Sequence, residues 1–176
     1  MPSNPVTLAL DQLGIHYRLH LHPQPVRSLE QAAAERGLAP DQIVRSLVFR
    51  LEDGSFALLL MPGRAKASWP KLRRTLGVNR LTTATPDEVR QATGYEPGAV
   101  SPFGLPQPLR LLADVSLLKH DWVSIGAGIH NAGVILHRED MVRALRPEVG
   151  DFGEEATGTS GGPSGPEDPS ALQPSK

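Results

Sequence analysis

Two apolar runs separated by a tight-turn signal constrain the fold of this 176-residue chain more than any other feature. The runs are Ser46 to Leu51 and Phe56 to Met61, and the residues between them read Glu-Asp-Gly-Ser. An Asp-Gly pair favours the positive φ values of a hairpin turn. The sequence therefore predicts an antiparallel hairpin, which argues against a doubly wound sheet built from strand–helix–strand crossovers.

Short helices and further strands are predicted around this hairpin. The residues predicted to cap helix N-termini are Ser28, Ser68 and Thr85, and the glycines predicted to end the same helices are Gly37, Gly77 and Gly94. Alternating or continuous apolar patterns predict strands over residues 15–21, 109–113, 122–127 and 134–136, followed by a last helix over 139–145. Hairpins mixed with short helices indicate an α+β domain on a mixed sheet.

Composition excludes several classes of protein. The chain has no cysteine, which excludes disulfides, thiolate nucleophiles, iron–sulfur clusters and cysteine zinc sites. Its longest apolar stretch, Ala57 to Met61, is far shorter than the ~20 residues that cross a bilayer. The N-terminus lacks the charge pattern of a secretory signal. We therefore expect a cytoplasmic protein without a membrane partner.

Charge is distributed unevenly along the chain. The formal net charge is −1, but residues 150–176 hold five acidic residues against Lys176, which gives −4 there and +3 on residues 1–149. The acidic segment is rich in Gly, Pro and Ser and has only Phe152 and Leu172 as large apolar residues. Because such a segment buries too little surface to offset its ordering entropy, we predict one domain over residues 1–149 and a disordered tail over 150–176. Removal of that tail is expected to leave the fold intact.

The segment from Thr93 to Gly104 is the strongest candidate for a functional loop. It reads Thr-Gly-Tyr-Glu-Pro-Gly-Ala-Val-Ser-Pro-Phe-Gly, with glycines and prolines that turn backbone N–H groups outward. The spacing fits neither a dinucleotide fingerprint nor a phosphate-binding P-loop. Such a loop suits an anion or a developing oxyanion, although a purely structural turn has the same composition.

This string resembles the signature of the YbaK/prolyl-tRNA synthetase-associated domains, which hydrolyse mischarged aminoacyl-tRNA. The resemblance runs in order over roughly residues 5 to 146 and includes the stretch Pro40 to Val48 and the glycine-rich strand pair near Gly126. It implies a mixed, partly closed sheet surrounded by short helices, and it implies no cofactor. Residues Gly98 to Pro102 would be the family's G-x-x-x-P loop.

The resemblance also implies roles for individual residues. The backbone of the loop would hold the substrate carbonyl or oxyanion, through Gly98, Ala99, Val100 and Ser101. The expected contacts to the aminoacyl group and the terminal adenosine come from Tyr95, Pro102, Gly126, Gly128 and His130. For His130, a plain position at the tip of a hairpin is an equally good interpretation of the sequence.

Arg45 departs from the family pattern. Members with demonstrated editing usually carry a lysine in the segment that here reads Ile-Val-Arg-Ser-Leu. Arginine stays protonated and presents a planar fork, whereas lysine can lose its proton when it is desolvated. Arg45 is therefore predicted to grip a phosphate or to stabilise an oxyanion, and not to act as a base. The resemblance implies that a water molecule and the 2′-hydroxyl of the terminal ribose carry the proton transfers.

A basic segment, defined as residues Arg64 to Arg80, contains no acidic residue. Its cations are Arg64, Lys66, Lys71, Arg73, Arg74 and Arg80, and Trp69 lies among them. Positive charges with an aromatic ring are typical of RNA binding by phosphate attraction and base stacking. A solvated helix face explains the basic segment equally well, and for Trp69 an ordinary position in the core is the preferred interpretation.

Three histidines alternate along the first predicted strand. His16, His20 and His22 would share one face, which superficially resembles a metal site. Side chains along one flat strand point in parallel and do not converge tetrahedrally, so we expect no metal ion there.

Three functions remain compatible with the sequence. The first is a free-standing aminoacyl-tRNA deacylase that acts in trans on the ester of a small mischarged amino acid. The second is a catalytically silent module that binds tRNA or an aminoacyl-tRNA synthetase, and the third is a small-molecule ester hydrolase. The expected partners are aminoacyl-tRNA and, as a further candidate, a synthetase; DNA is not expected.

Overall fold

A computed structural model describes residues 4–155 of the chain. Within that range five α-helices, two short 3-10 helices and eight strands follow one another along the sequence. The helices are α1 (Pro5–Gln12), α2 (Leu29–Arg36), α3 (Trp69–Leu76), α4 (Pro86–Thr93) and α5 (Arg138–Leu145). The strands are β1 (Tyr17–Leu21), β2 (Val44–Leu51), β3 (Phe56–Pro62), β4 (Leu81–Thr83), β5 (Arg110–Asp114), β6 (Trp122–Gly126), β7 (Ala132–His137) and β8 (Glu148–Gly150).

The strands are divided between two sheets. The larger has the order β4-β2-β3-β5-β8, in which β2 pairs antiparallel with β3 and β4 while β5 pairs parallel with β3 and β8. The smaller has the order β1-β7-β6 and is antiparallel throughout. The predicted hairpin and the mixed α+β class are confirmed. One backbone bridge, between Ile43, which directly precedes β2, and Ser124 of β6, links the two sheets, and they do not close into a barrel.

Two clusters of buried apolar side chains hold the sheets and helices together. The main cluster lies between the sheets and includes Leu58, Leu60, Ile125, Val134 and Leu136, all at most 1% exposed. A second cluster packs α3 against the opposite face of the larger sheet. The alternation of side chains along β2 and β3 supplies both clusters, because successive residues of a strand point to opposite faces.

The predicted helix caps are confirmed. The side chains of Ser28, Ser68 and Thr85 accept hydrogen bonds from backbone N–H groups in the first turns of α2, α3 and α4. Gly37, Gly77 and Gly94 end the same helices in the left-handed conformation. No helix in the described part of the chain is long and apolar enough to span a membrane.

The chain beyond residue 149 begins with packed structure. Gly150 belongs to β8, and Phe152 lies in the second apolar cluster with 3% of its surface exposed. The carboxylate of Asp114 accepts hydrogen bonds from the N–H groups of Phe152 (2.8 Å) and Gly153 (3.2 Å). The predicted boundary between residues 149 and 150 therefore falls inside a strand, and the predicted tail from residue 156 onward lies outside the described residues.

Candidate active site

Two adjoining cavities meet at the first half of β2. β4 pairs with β2 only over Phe49–Leu51, so within the described chain the earlier part of β2 has an open edge that faces the loop after α4. The larger cavity has a volume of about 480 Å³ and the smaller about 300 Å³. Both are lined by Arg45, Ser46, Gly98 and Val100. The structure thus brings the predicted loop to the predicted arginine.

Gly98 forms the exposed tip of this loop. Its φ of +86° is a conformation that glycine adopts easily and other residues rarely do. His130, at the turn between β6 and β7, lies beside it, because a Cβ added at Gly98 would be 3.7 Å from His130 Cε1. The structure therefore brings together Gly98 and His130, two residues that the sequence analysis assigned to one site.

Some backbone groups of the loop form hydrogen bonds within the protein that fix the conformation of the loop. The N–H of Ala99 donates to Glu96 O (3.0 Å), and Ala99 O accepts from the N–H of Gly128 (3.0 Å). The N–H groups of Gly98 and Val100 donate to no backbone or side-chain acceptor in the described residues. Gly98 and Val100 both line the two cavities, so these two amides, and not that of Ala99, are the candidates to contact a substrate.

Gly126 and Gly128 allow the loop to sit tightly on the smaller sheet. A Cβ at Gly126 would overlap the carbonyl oxygen of Val100, and one at Gly128 would come within 2.9 Å of Tyr95 Cε1. Gly126 also lines the smaller cavity. The geometry gives both glycines a role in packing the loop, in place of the direct substrate contact that the sequence suggested for Gly128.

Three other predicted site residues lie in the core. Tyr95 is 4% exposed and donates its hydroxyl hydrogen to Phe103 O (2.6 Å), while burial raises its pKa to about 12. Ser101 is fully buried and its Oγ accepts from the N–H of Phe103 (3.2 Å). Pro102 is buried next to it. These residues support the loop on the side that faces the core, and they line neither of the two cavities.

Arg45 projects from β2 at the junction of the cavities. Its Nη2 donates to the carbonyl oxygen of Ala65, and its buried Nε has no partner in the described residues. Burial lowers the pKa of Arg45, but a guanidinium starts from so high a value that it stays charged. Ser46 Oγ is also buried without a partner. An unpartnered buried polar atom is costly unless a water molecule or a ligand satisfies it, and both residues line the two cavities.

The basic segment does not form one continuous surface. Arg64 pairs with Glu30, and Lys71 pairs with Asp151 (2.8 Å). Arg80 lies by a separate cavity near the β2–β3 turn. The remaining cations are Lys66, which lines the larger cavity, and Arg73 and Arg74 on α3. Trp69 packs its ring edge-to-face against Phe49, as expected of a residue at the margin of the core.

The histidine cluster differs from its prediction in geometry. His16 precedes β1, but His20, His22 and Glu35 place one ligand atom each within 4.8 Å of one another, so these side chains do converge. His22 Nε2 accepts a hydrogen bond from Arg36 Nε (3.1 Å), which leaves the ring proton on Nδ1, where it faces Glu35. That arrangement uses both nitrogens of His22 and disfavours a metal ion.

Arg36 and Glu154 were not predicted as site residues. Arg36 lines the smaller cavity and Glu154 the larger. An arginine in the last turn of a helix is typical of a solvated cap, and a glutamate in a segment rich in glycine is typical of a disordered tail. Only tertiary structure shows that both face the site.

Comparison with known proteins identifies the family. The family model described as the aminoacyl-tRNA editing domain matches residues 23–144. The chain belongs to that family. The predicted resemblance is therefore confirmed.

Individual relatives agree with this assignment. The multifunctional Ser/Thr-tRNA deacylase ProXp-y of Escherichia coli (strain K12) is 30% identical over 147 residues, which cover 81% of this chain and 87% of that protein. A proline–tRNA ligase of Bacillus licheniformis is 31% identical over 97 residues, 55% of this chain but 17% of the ligase. The crystal structure of a protein proposed as a trans-editing enzyme for prolyl tRNA synthetase superposes with a TM-score of 0.80 at 31% identity, covering 88% of this chain and all of that one.

Proposed function

We propose that this editing domain is an aminoacyl-tRNA deacylase that acts in trans and hydrolyses the ester of a small mischarged amino acid. The observation that carries the proposal is the exposed Gly98, at positive φ, which lines both cavities together with Arg45 and lies beside His130. The name of the Escherichia coli relative makes serine and threonine the first amino acids to test. We further propose a cytoplasmic site of action, where tRNA is charged, with a synthetase as a candidate partner.

The proposed chemistry is addition of water to the ester carbonyl. The carbonyl oxygen becomes an oxyanion, and the free N–H groups of Gly98 and Val100 would stabilise it as preorganised donors. The bond to the ribose oxygen then breaks, and that oxygen takes the proton lost by the water. The guanidinium of Arg45 contributes positive charge but accepts no proton, so the proton passes through the water and the neighbouring ribose hydroxyl.

Hydrolysis of a panel of charged tRNAs tests this proposal. Seryl-, threonyl- and alanyl-tRNA are incubated with the protein, together with the corresponding methyl esters, and released amino acid is measured. We expect release from at least one aminoacyl-tRNA and little from the methyl esters. Binding of tRNA without release would indicate the silent module, and equal release from the methyl esters would indicate a small-molecule esterase.

Replacement of Arg45 by alanine is expected to reduce the rate of deacylation by about 10²-fold, the loss typical of one oxyanion stabiliser. Arg45→Lys should retain part of the rate, because it keeps a positive charge at the same place. Arg50→Ala is the matched control, since Arg50 lies on the same strand but pairs with Glu88 outside the site. Single-turnover hydrolysis measures all three, and equal rates for wild type and Arg45→Ala would remove Arg45 from the mechanism.

Two arginines of α3 are proposed to bind tRNA phosphates. Replacing Arg73 and Arg74 by glutamine should weaken tRNA binding and reduce the slope of log affinity against log salt by roughly 0.7 to 0.9 per lost contact. Lys71→Gln should change that slope less, because Lys71 is already paired with Asp151. Titrations at several salt concentrations measure the slope; an unchanged value in the double variant would mean that α3 presents only a solvated face.

A further inference from the structure

Arg36 lies against the outer face of the smaller sheet, which is the face that points away from the main apolar cluster. Its Nε donates to His22 Nε2 (3.1 Å), its Nη1 to Ser124 Oγ (2.9 Å) and its Nη2 to Ala132 O (3.2 Å). Gly133 lies directly beneath, and a Cβ there would overlap the guanidinium. The acceptors come from β6, from β7 and from His22, which directly follows β1, and the lack of a side chain at Gly133 leaves room for the guanidinium.

The charge of Arg36 has no direct counter-ion. All three of its hydrogen-bond acceptors are neutral. The carboxylate of the neighbouring Glu35 contacts His22 Nδ1 and not the guanidinium of Arg36. Within the described residues no carboxylate lies at ion-pair distance from Arg36, which is 9% exposed. Burial lowers the pKa of Arg36, and the charge of Glu35 opposes that shift. A buried cation of this kind is costly unless an anion accompanies it.

The cavity beside Arg36 has the chemistry of an anion site. Its described lining residues include Arg36 and Arg45 but no Asp or Glu. The contacts above use three of the five N–H donors of the Arg36 guanidinium, so two remain. Ser46, whose Oγ is buried without a partner in the described residues, also lines the cavity.

We propose that this cavity binds a phosphate group, with Arg36 as a phosphate-binding residue that Ser124 and the His22–Glu35 pair hold in position. A guanidinium fork matches phosphate oxygens in a bidentate manner. The inference rests on the proposed function: the ester and the 5′-phosphate of the terminal adenosine share one ribose, so a carbonyl at Gly98 brings that phosphate to the neighbouring cavity. In this arrangement Arg45 contributes positive charge near the substrate carbonyl, and Arg36 binds the phosphate.

Binding of two non-hydrolysable analogues tests this assignment. The analogues are 3′-seryl-amino-3′-deoxyadenosine with and without a 5′-phosphate, and calorimetric titration measures their affinities. We expect the phosphate to improve binding to the wild type by roughly 10- to 100-fold, the effect typical of hydrogen bonds to a charged group. Arg36→Lys should remove most of that gain and leave the affinity for the unphosphorylated analogue unchanged.

A second variant covers the case in which Arg36→Lys fails to fold. Ser124→Ala removes one hydrogen bond to the guanidinium and should reduce the phosphate gain several-fold. Arg138→Gln is the control, because Arg138 contacts His120 O and does not line the cavity. No phosphate gain in the wild type, or equal weakening of both analogues in the variants, would overturn the assignment. A phosphate gain in a protein that hydrolyses no aminoacyl-tRNA would uphold the phosphate site while the proposed function fails.

Discussion

Replacing Gly98 by valine is expected to abolish deacylation while the protein stays folded. A side chain at Gly98 would occupy the space into which the substrate carbonyl must come, and a β-branched residue is strained at a φ of +86°. The strain costs about 1–3 kcal/mol, which corresponds to a decrease in Tm of several degrees. Binding of tRNA through α3 should persist. Single-turnover hydrolysis, thermal unfolding and tRNA titration measure the three quantities.

Gly54→Val is the matched control for this experiment. Gly54 has a φ of +85° in the β2–β3 turn, and an added Cβ there meets no atom within 4 Å. The control therefore carries the same backbone strain far from Arg45 and His130. If Gly98→Val hydrolyses aminoacyl-tRNA at the wild-type rate, or if both variants lose activity equally, the loop is not the active site.

Ending the chain after Val149 is expected to destabilise the protein strongly. The truncation removes the buried ring of Phe152 and leaves the Asp114 carboxylate without two of its N–H donors. Loss of a buried aromatic side chain costs about 3–5 kcal/mol, so the expected decrease in Tm is on the order of 10 °C. Thermal unfolding followed by circular dichroism measures it.

A chain that ends after Glu155 provides the comparison. It retains Phe152 and the hydrogen bonds that join Gly153 and Glu154 to the rest of the domain, including Glu154 N to Lys66 O (2.8 Å). We expect its Tm to equal that of the full chain. Equal stability of the two truncations would show that the segment after β8 contributes nothing to the fold, as its composition alone suggested.

Local signals in the sequence were sufficient for the hairpin and for four of the five α-helices, α2 to α5. An Asp-Gly turn and a serine or threonine cap act on neighbouring residues, so they can be recognised without knowledge of the rest of the fold. Helix α1 was missed, although Asn4 caps it and Pro5 begins it, because an eight-residue helix next to the N-terminus gives a short pattern. Phe152 was missed because Asp114, far away in sequence, supplies the acceptor that orders its backbone.

The candidate site was predicted only in part, for a related reason. Gly98, Arg45 and His130 were predicted through the family resemblance, and the structure places Gly98 and Arg45 at the same two cavities and His130 beside Gly98. Arg36 and Ser46 gave no signal, because their place in the lining of the smaller cavity depends on the position of one sheet relative to the other. Tyr95 and Ser101 were predicted to contact substrate, yet the hydrogen bonds they make to Phe103 face the core.

A crystal structure with the phosphorylated seryl-amide analogue tests the central claim most directly. The amide of this analogue takes the place of the ester and resists hydrolysis. We predict that its carbonyl oxygen lies at hydrogen-bonding distance, about 3 Å, from the N–H of Gly98 or Val100, with Arg45 at the same end of the cavity. An analogue bound elsewhere on the protein, with the Gly98 loop empty, would contradict the account.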